Sequence, residues 1–418
     1  MTAPGSNTAG ADALLTFQRI QDHLSPGAAL SAKILGGGQV EVSSDGVKIV
    51  LSDGQEVLDF GSYGVTLLGH RHPLVVAAVV DALAGAPTAS RVLANPVTAA
   101  FATALVNECG SPMQRVWLGC SGSEVVEAGL KVARRLTGRE RVLAVDGAFH
   151  GKTLGALALN GNAAFRRGLD TLLGPTTRVP RTDPGAVERE AAHGDVAALI
   201  FEPIQGEAGV RPLDPAVLRQ WVNDAHAAGV LVISDEVQVG LGRCGPFSPA
   251  LFSDLEPDAV LFGKALGGGI MPLSALVATD EFAEPLVSDP TWHTSTFGGH
   301  PLSCSAGCSA LAALKLHAGN VSALAQRLED GLERLARAHS GVILEVRGRG
   351  LIWGVEFANA GIAGAALIEL AQRGLVVSPC LSANTTIRLM PPMVATLADV
   401  DRALEIVEAA MPSVSEYA

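Results

Sequence analysis

From Arg115 onward the chain alternates short, unbroken apolar runs with helical stretches; the runs are RVWLGC, RVLAVD, VAALIFEP, VLVISDEV, AVLFGK and LSALVAT. A strand that is apolar on both faces must be covered on both, and helices between successive strands supply that cover. The alternation therefore predicts a parallel α/β sheet between helical layers, closing near Gly298 and Gly299. Upstream, Asp45-Gly46 and Asp53-Gly54 divide the runs Val40 to Ser43, Val47 to Leu51 and Glu56 to Phe60 into a short antiparallel meander. Beyond Pro301 a helical stretch leads to a second helix with Val321, Leu324, Leu328, Leu332 and Leu335 on one face. Strand-like ILEVR, LIWGVEF, LVVSP and TIRLM follow, then a closing helix, LADVDRALEIVEAAM. A chain of 418 residues exceeds what one core usually holds. The expected organisation is an N-terminal segment 1–60 packing with the small domain, a large domain 61–300 and a smaller α+β domain 301–418. Residues 1–12, rich in Gly, Ala, Ser and Thr, are expected to fray.

Charge and cysteine usage narrow the function classes. Thirty basic residues against forty-two acidic ones give a net charge of −12, with no Lys/Arg run interleaved with aromatics, which argues against a nucleic-acid partner. The first residues lack a basic start and an apolar core, and the longest apolar stretch, Leu74 to Val80, is too short to span a bilayer. A soluble, cytoplasmic protein is expected. Six scattered cysteines without a CxxC read as reduced thiols, and no histidine completes a metal set around Cys304 and Cys308. With 48 % hydrophobic and 17 % charged residues there is apolar surface to spare, a hint of a large subunit interface.

Ligands of parallel α/β sheets sit outside the carboxyl ends of the strands. VLVISD ends at Asp235 and AVLFG just before Lys264, so both side chains should open on one crevice. A desolvated lysine is a good amine nucleophile toward an aldehyde, and an aspartate nearby can keep a pyridine nitrogen protonated. A salt bridge between the two, or a solvated loop lysine, would account for the same residues without chemistry. Ser121-Gly122-Ser123-Glu124 precedes a helical run and fits a capping box; a capped helix start also presents free amides to a phosphate. Phe149, followed by His150 and Gly151 past a strand end, suits a flat ring stacked on an aromatic, or equally a core Phe with a turn glycine.

Taken together, LLGHRHP, SGSEVVEA, AFHGKTLGAL, FEPIQGEAGV, VISDEVQVGLGR, PDAVLFGKALGGG, HTSTFGGHPL, VRGRGLIWGVEF and TIRLMPP, in this order from residue 67 to residue 392, resemble the class III (ornithine/acetylornithine/putrescine/ω-amino) aminotransferases of PLP fold type I. FHGK, LFGKALGGGIMP and TIR-x-x-PP point, within that family, toward putrescine aminotransferase. The resemblance implies a large domain with a mostly parallel seven-stranded sheet between helices, plus a smaller α+β domain. It also implies pyridoxal 5′-phosphate (PLP) held as a Schiff base by Lys264, which later moves the proton. Asp235 would pair with the pyridine nitrogen, and Gln238 would lie near the ring hydroxyl. Phe149 and Val237 would sandwich the ring, and Gly122 and Ser123 would bind the phosphate. Thr296 would reach the phosphate of a neighbouring subunit, making the active form a homodimer with shared sites. Arg388 matches the carboxylate-binding arginine, whose planar fork suits a bidentate carboxylate. Glu207 matches the residue that pairs with that arginine, and Tyr63 a substrate-contacting tyrosine. The implied reaction moves a terminal amino group from a diamine or ω-amino acid to a 2-oxo acid such as 2-oxoglutarate. Two positions depart from the pattern: His300 stands where the family has Asn, and Lys152 where the ornithine enzyme has Arg.

Parts of the sequence also fit other classes. Gly240, Gly242 and Gly245 fit the G-x-G-x-x-G of a dinucleotide dehydrogenase, but Pro246 and Pro249 follow where a helix should start. Lys264 is not in a P-loop, because Asp258 occupies the first glycine position. A non-catalytic PLP-binding protein is a further alternative, against which Lys264, Asp235 and Arg388 all stand. Within the fold, racemases, aminomutases and decarboxylases share the same cofactor machinery.

Overall fold

The structure, a computed structural model, describes residues 12–87 and 93–417. The stretch expected to fray lies outside these, save for Asp12, which caps the helix Ala13–His23. The chain divides into two compact units, Pro73–Val321 and the pair Met1–His72 with Ser322–Ala418. Helix Pro301–His317, assigned by sequence to the small domain, thus falls in the first unit, where it packs on helices Pro73–Gly85 and Pro96–Cys109.

A seven-stranded sheet organises the Pro73–Val321 unit. Its order is Arg115–Gly119, Ser274–Ala278, Ala259–Phe262, Leu231–Asp235, Val196–Phe201, Arg141–Val145 and Thr176–Val179. Neighbours pair in parallel except Ser274–Ala278, which runs against both its partners. Its apolar run, LSALVAT, reads like a parallel strand, but residues 263–273 hold only a 3-10 turn, Lys264–Gly267. A parallel partner would need a longer crossover connection.

Both faces are buried, and successive residues serve opposite faces. Val142, Ala144, Ala198 and Ile200 join one apolar cluster with helix Gly122–Thr137. Leu143, Val145, Leu199 and Phe201 join the other, around Trp221 and Val187. That period of two within an all-apolar run is why these strands show no polar alternation. All strands but Ser274–Ala278 end at one edge, which places the residues after Gly119, Val145, Phe201, Asp235 and Phe262 in one region.

In the other unit the meander forms as the Asp-Gly turns predict, with Glu41–Asp45, Lys48–Leu51 and Glu56–Asp59 antiparallel. Leu375–Val376 adds a parallel strand beside Glu56–Asp59. A second sheet orders Ile343–Arg349, Ile352–Phe357, Ala383–Leu389 and Ser378–Cys380. Leu324, Leu328, Leu332 and Leu335 of the predicted stripe lie in this unit and are buried, as is Val321, the last residue of the Pro73–Val321 unit. Among the described residues no helix is long and apolar enough to cross a membrane.

Candidate active site

At the carboxyl edge of the large sheet lies a cleft whose lining includes Gly122, Ser123, Phe149, Glu207, Asp235, Val237, Gln238 and Lys264. Lys264 directly follows Gly263 at the end of its strand and adopts φ 46°. A non-glycine residue in the left-handed region is strained and persists where its surroundings fix it, a pattern that clusters at active sites. Asp235 ends the central strand Leu231–Asp235, buried, its Oδ1 accepting the amide of Val237 at 3.1 Å. Its Oδ2 lies 2.7 Å from Nδ1 of His150. That contact assigns the proton to Nδ1, since a carboxylate there accepts.

His150 is fully buried; burial lowers its pKa, but the hydrogen bond and charge of Asp235, helped by Glu202, raise it above the ordinary imidazole value. Asn160 brackets the same turn, accepting from the His150 amide at 2.8 Å and donating to Gly151 O at 2.7 Å. Glu202 follows strand Val196–Phe201 directly and accepts the Phe149 amide at 2.9 Å. Burial pushes its carboxyl up to about 7, with the charges of Asp235 and Glu207 adding. Glu236, next to Asp235, is pushed up to about 8 by burial, against hydrogen bonds from the Ala250 amide (2.8 Å), Ser248 (2.9 Å) and Ser234 (3.2 Å). Sequence reasoning gave none of His150, Asn160, Glu202 or Glu236 a role.

The helix start at Ser121 carries a complete capping box with Glu124. Two glycines leave the cleft floor without side chains. A Cβ on Gly122 would sit 2.9 Å from Val237 Cγ1, and one on Gly151 would sit 2.1 Å from Ser123 Oγ. Phe149 is half-buried with Phe165 edge-on to it at 5.9 Å, and Lys152 is exposed, its Nζ 4.6 Å from the Phe165 ring centre. Gln238 Nε2 lies 3.5 Å from Glu207 Oε1.

Three predicted residues are not among this lining. Thr296 is in the same unit, exposed, and does not line this cleft. Tyr63 and Arg388 belong to the other unit. Tyr63 sits in a tight turn at φ 51°, 54 % exposed. Arg388 is buried on strand Ala383–Leu389, with Nη2 donating to Pro379 O at 3.3 Å. His300 caps helix Pro301–His317 by accepting the Leu302 amide on Nδ1 at 3.2 Å, the service an Asn gives at a helix start. No helix starts at the glycines of the dehydrogenase motif. They form turns, with Gly240 against the Glu236 carbonyl and Leu241 bonded to Phe247 O at 2.7 Å.

The family model for class-III aminotransferases matches residues 39–411. Similar solved structures include the ornithine aminotransferase from Toxoplasma gondii ME49, 27 % identical, covering 98 % of this chain and 97 % of that one, with a TM-score of 0.89. An acetylornithine aminotransferase from Elizabethkingia anophelis is 27 % identical over 97 % of this chain and 100 % of that one, at a TM-score of 0.83. A PLP-bound amine transaminase from an uncultivated Pseudomonas species is 25 % identical over 90 % of this chain and 95 % of that one, at 0.82. The cleft fits PLP: a capped helix start for a phosphate, a glycine-floored slot beside Phe149, a buried carboxylate and a lysine after a strand end. The chain belongs to the class III aminotransferases, PLP-dependent enzymes of fold type I.

Proposed function

We propose that the protein moves a terminal amino group from a diamine or ω-amino acid to a 2-oxo acid such as 2-oxoglutarate, by ping-pong chemistry in a homodimer with shared active sites. The observation that carries this reading is the convergence of Lys264, Asp235 and the Gly122–Ser123 helix start on one cleft. Among the similar proteins, ornithine and acetylornithine aminotransferases and an amine transaminase support an amine donor.

PLP, when bound, supplies an aldehyde that takes up amines and a ring that accepts electrons released at the neighbouring carbon. Lys264 Nζ is the residue that would hold it covalently, and later lift a proton from the donor carbon and return it. Asp235 would keep a proton on the ring nitrogen, and His150 Nδ1–H fixes the Asp235 carboxylate for that task. Gly122 and Ser123 would take the phosphate, Phe149 and Val237 the ring faces, and Gln238 the ring hydroxyl. Arg388 would take the acceptor's carboxylate, with Glu207 as its partner when the substrate end is an amine, and Tyr63 would touch substrate. Thr296 would serve the neighbouring subunit's phosphate.

Half-reactions against a panel of diamines, ornithine, ω-amino acids and simple amines test this directly. A donor should shift the visible absorbance of the bound cofactor without an acceptor, and 2-oxoglutarate should restore it. If no amine does so while an α-amino acid loses its chirality or its carboxyl group, the reading gives way to a racemase or decarboxylase. Light scattering should return a dimer.

A further inference from the structure

The segment 291–299, which carries Thr296, is fastened along the strand and helix that build the phosphate cradle. Trp117 Nε1 of strand Arg115–Gly119 donates to His293 O at 3.1 Å, and its ring stacks on His293 at 4.8 Å. From helix Gly122–Thr137, Lys131 Nζ meets His293 Nδ1 at 2.9 Å and lies 4.7 Å from the Trp292 ring centre. Gly298 passes so close to Leu118 that a Cβ would sit 2.2 Å from its carbonyl oxygen. Between these fixings, Ser295 donates its hydroxyl to Glu124 Oε1 at 3.1 Å. Oε2 of the same carboxylate takes the amides of Cys120 at 2.5 Å and Ser121 at 2.9 Å, which open the helix. Helix capping occupies only Oε2; nothing in it calls for Ser295. The next residues are open to solvent, Thr296 exposed and Phe297 62 % exposed.

We infer that Glu124 is a positioning residue that locks the phosphate cradle of its own subunit to the segment presenting Thr296 to a second copy, through Ser295. This rests on the reading above in which Gly122 and Ser123 take one phosphate and Thr296 a partner's. One side chain therefore registers each subunit's cradle with its neighbour's. Loss of the Ser295 hydroxyl unties the stretch between His293 and Gly298 from Glu124 while leaving the outer fixings and the helix cap in place.

The test titrates cofactor-depleted wild type, Ser295→Ala, Glu124→Gln and Glu124→Ala with PLP and with pyridoxal, which lacks the phosphate. A hydrogen bond to a charged group is worth about a ten-fold change in binding. Ser295→Ala should weaken PLP by about that factor and leave pyridoxal unchanged. Glu124→Gln keeps an acceptor for the amides and a donor for Ser295, and should bind PLP like wild type; Glu124→Ala should lose more than Ser295→Ala. Equal losses for both ligands, or none, overturn the inference. In a hybrid dimer of Ser295→Ala with Lys264→Ala chains, the one competent site draws its segment 291–299 from the Lys264→Ala chain. That site should bind PLP with wild-type affinity, and a ten-fold loss there would place the effect within one subunit and overturn the coupling. Failure of wild type to bind PLP at all would instead refute the proposed function.

Discussion

Glu202 imposes a pH dependence whose size follows from its surroundings. Burial lifts its pKa from an ordinary 4.5 to about 7, with Asp235 and Glu207 adding, while His150 and the Phe149 amide oppose. The folded protein therefore keeps a proton that the unfolded chain has released. The stability this carboxyl contributes is full at low pH and is lost as pH rises from 4.5 to about 7. A change of that extent corresponds to about 3 kcal/mol. Glu202→Gln retains an acceptor for the Phe149 amide and cannot titrate. Urea unfolding of cofactor-free protein, at fixed concentration because subunit association also stabilises, measures both proteins from about pH 5 to about pH 8. Across that range wild type should lose roughly 2–3 kcal/mol more than Glu202→Gln. His150, whose pKa is raised by Asp235 against the effect of burial, contributes stability that is full below 6.5 and lost as pH rises through its folded value. That loss occurs in both proteins and largely cancels in the difference. Parallel profiles for the two would mean that Glu202 holds no such proton in the folded protein.

Asp235→Asn should still bind PLP with its visible absorbance, yet lose on the order of 10²–10³ in kcat, because the proposed role aims this charge at the reacting system; normal turnover would remove Asp235 from that role. Arg388→Ala should impair the 2-oxo acid half-reaction about ten-fold or more and the amine half-reaction far less; equal losses, read by single-turnover absorbance, would count against a carboxylate site. Gly151→Ala places a Cβ 2.1 Å from Ser123 Oγ at a backbone φ of 130°. The strain alone costs about 1–3 kcal/mol of folding stability, so the urea midpoint of the cofactor-free protein should fall accordingly; an unchanged midpoint would show that the turn relaxes around the methyl group.

Much of this architecture was legible because its causes are local. Unbroken apolar runs fix doubly covered strands, Asp-Gly pairs fix the meander turns, and Ser121 with Glu124 fixes a helix start. The antiparallel course of Ser274–Ala278 was not legible, because a buried strand shows the same residues whichever way it runs. Helix Pro301–His317 follows the glycine pair yet packs on helices far back in the chain, a pairing that local pattern does not carry. Asp235 stood out as the charge that ends an apolar strand, and Glu202 ends VAALIF in the same way. The rule that found the first would have found the second. His150 gave no such signal, since its value lies in a contact across the fold, 2.7 Å to Asp235, and Asn160 serves only to hold that turn, 2.8 Å from the His150 amide.

Borohydride treatment of the yellow holoenzyme, followed by peptide mass mapping, tests the central assignment. The visible band should bleach, and a pyridoxyl-phosphate label should appear on the peptide containing Lys264. A label on any other lysine, or a protein that takes up no cofactor to be trapped, would contradict it.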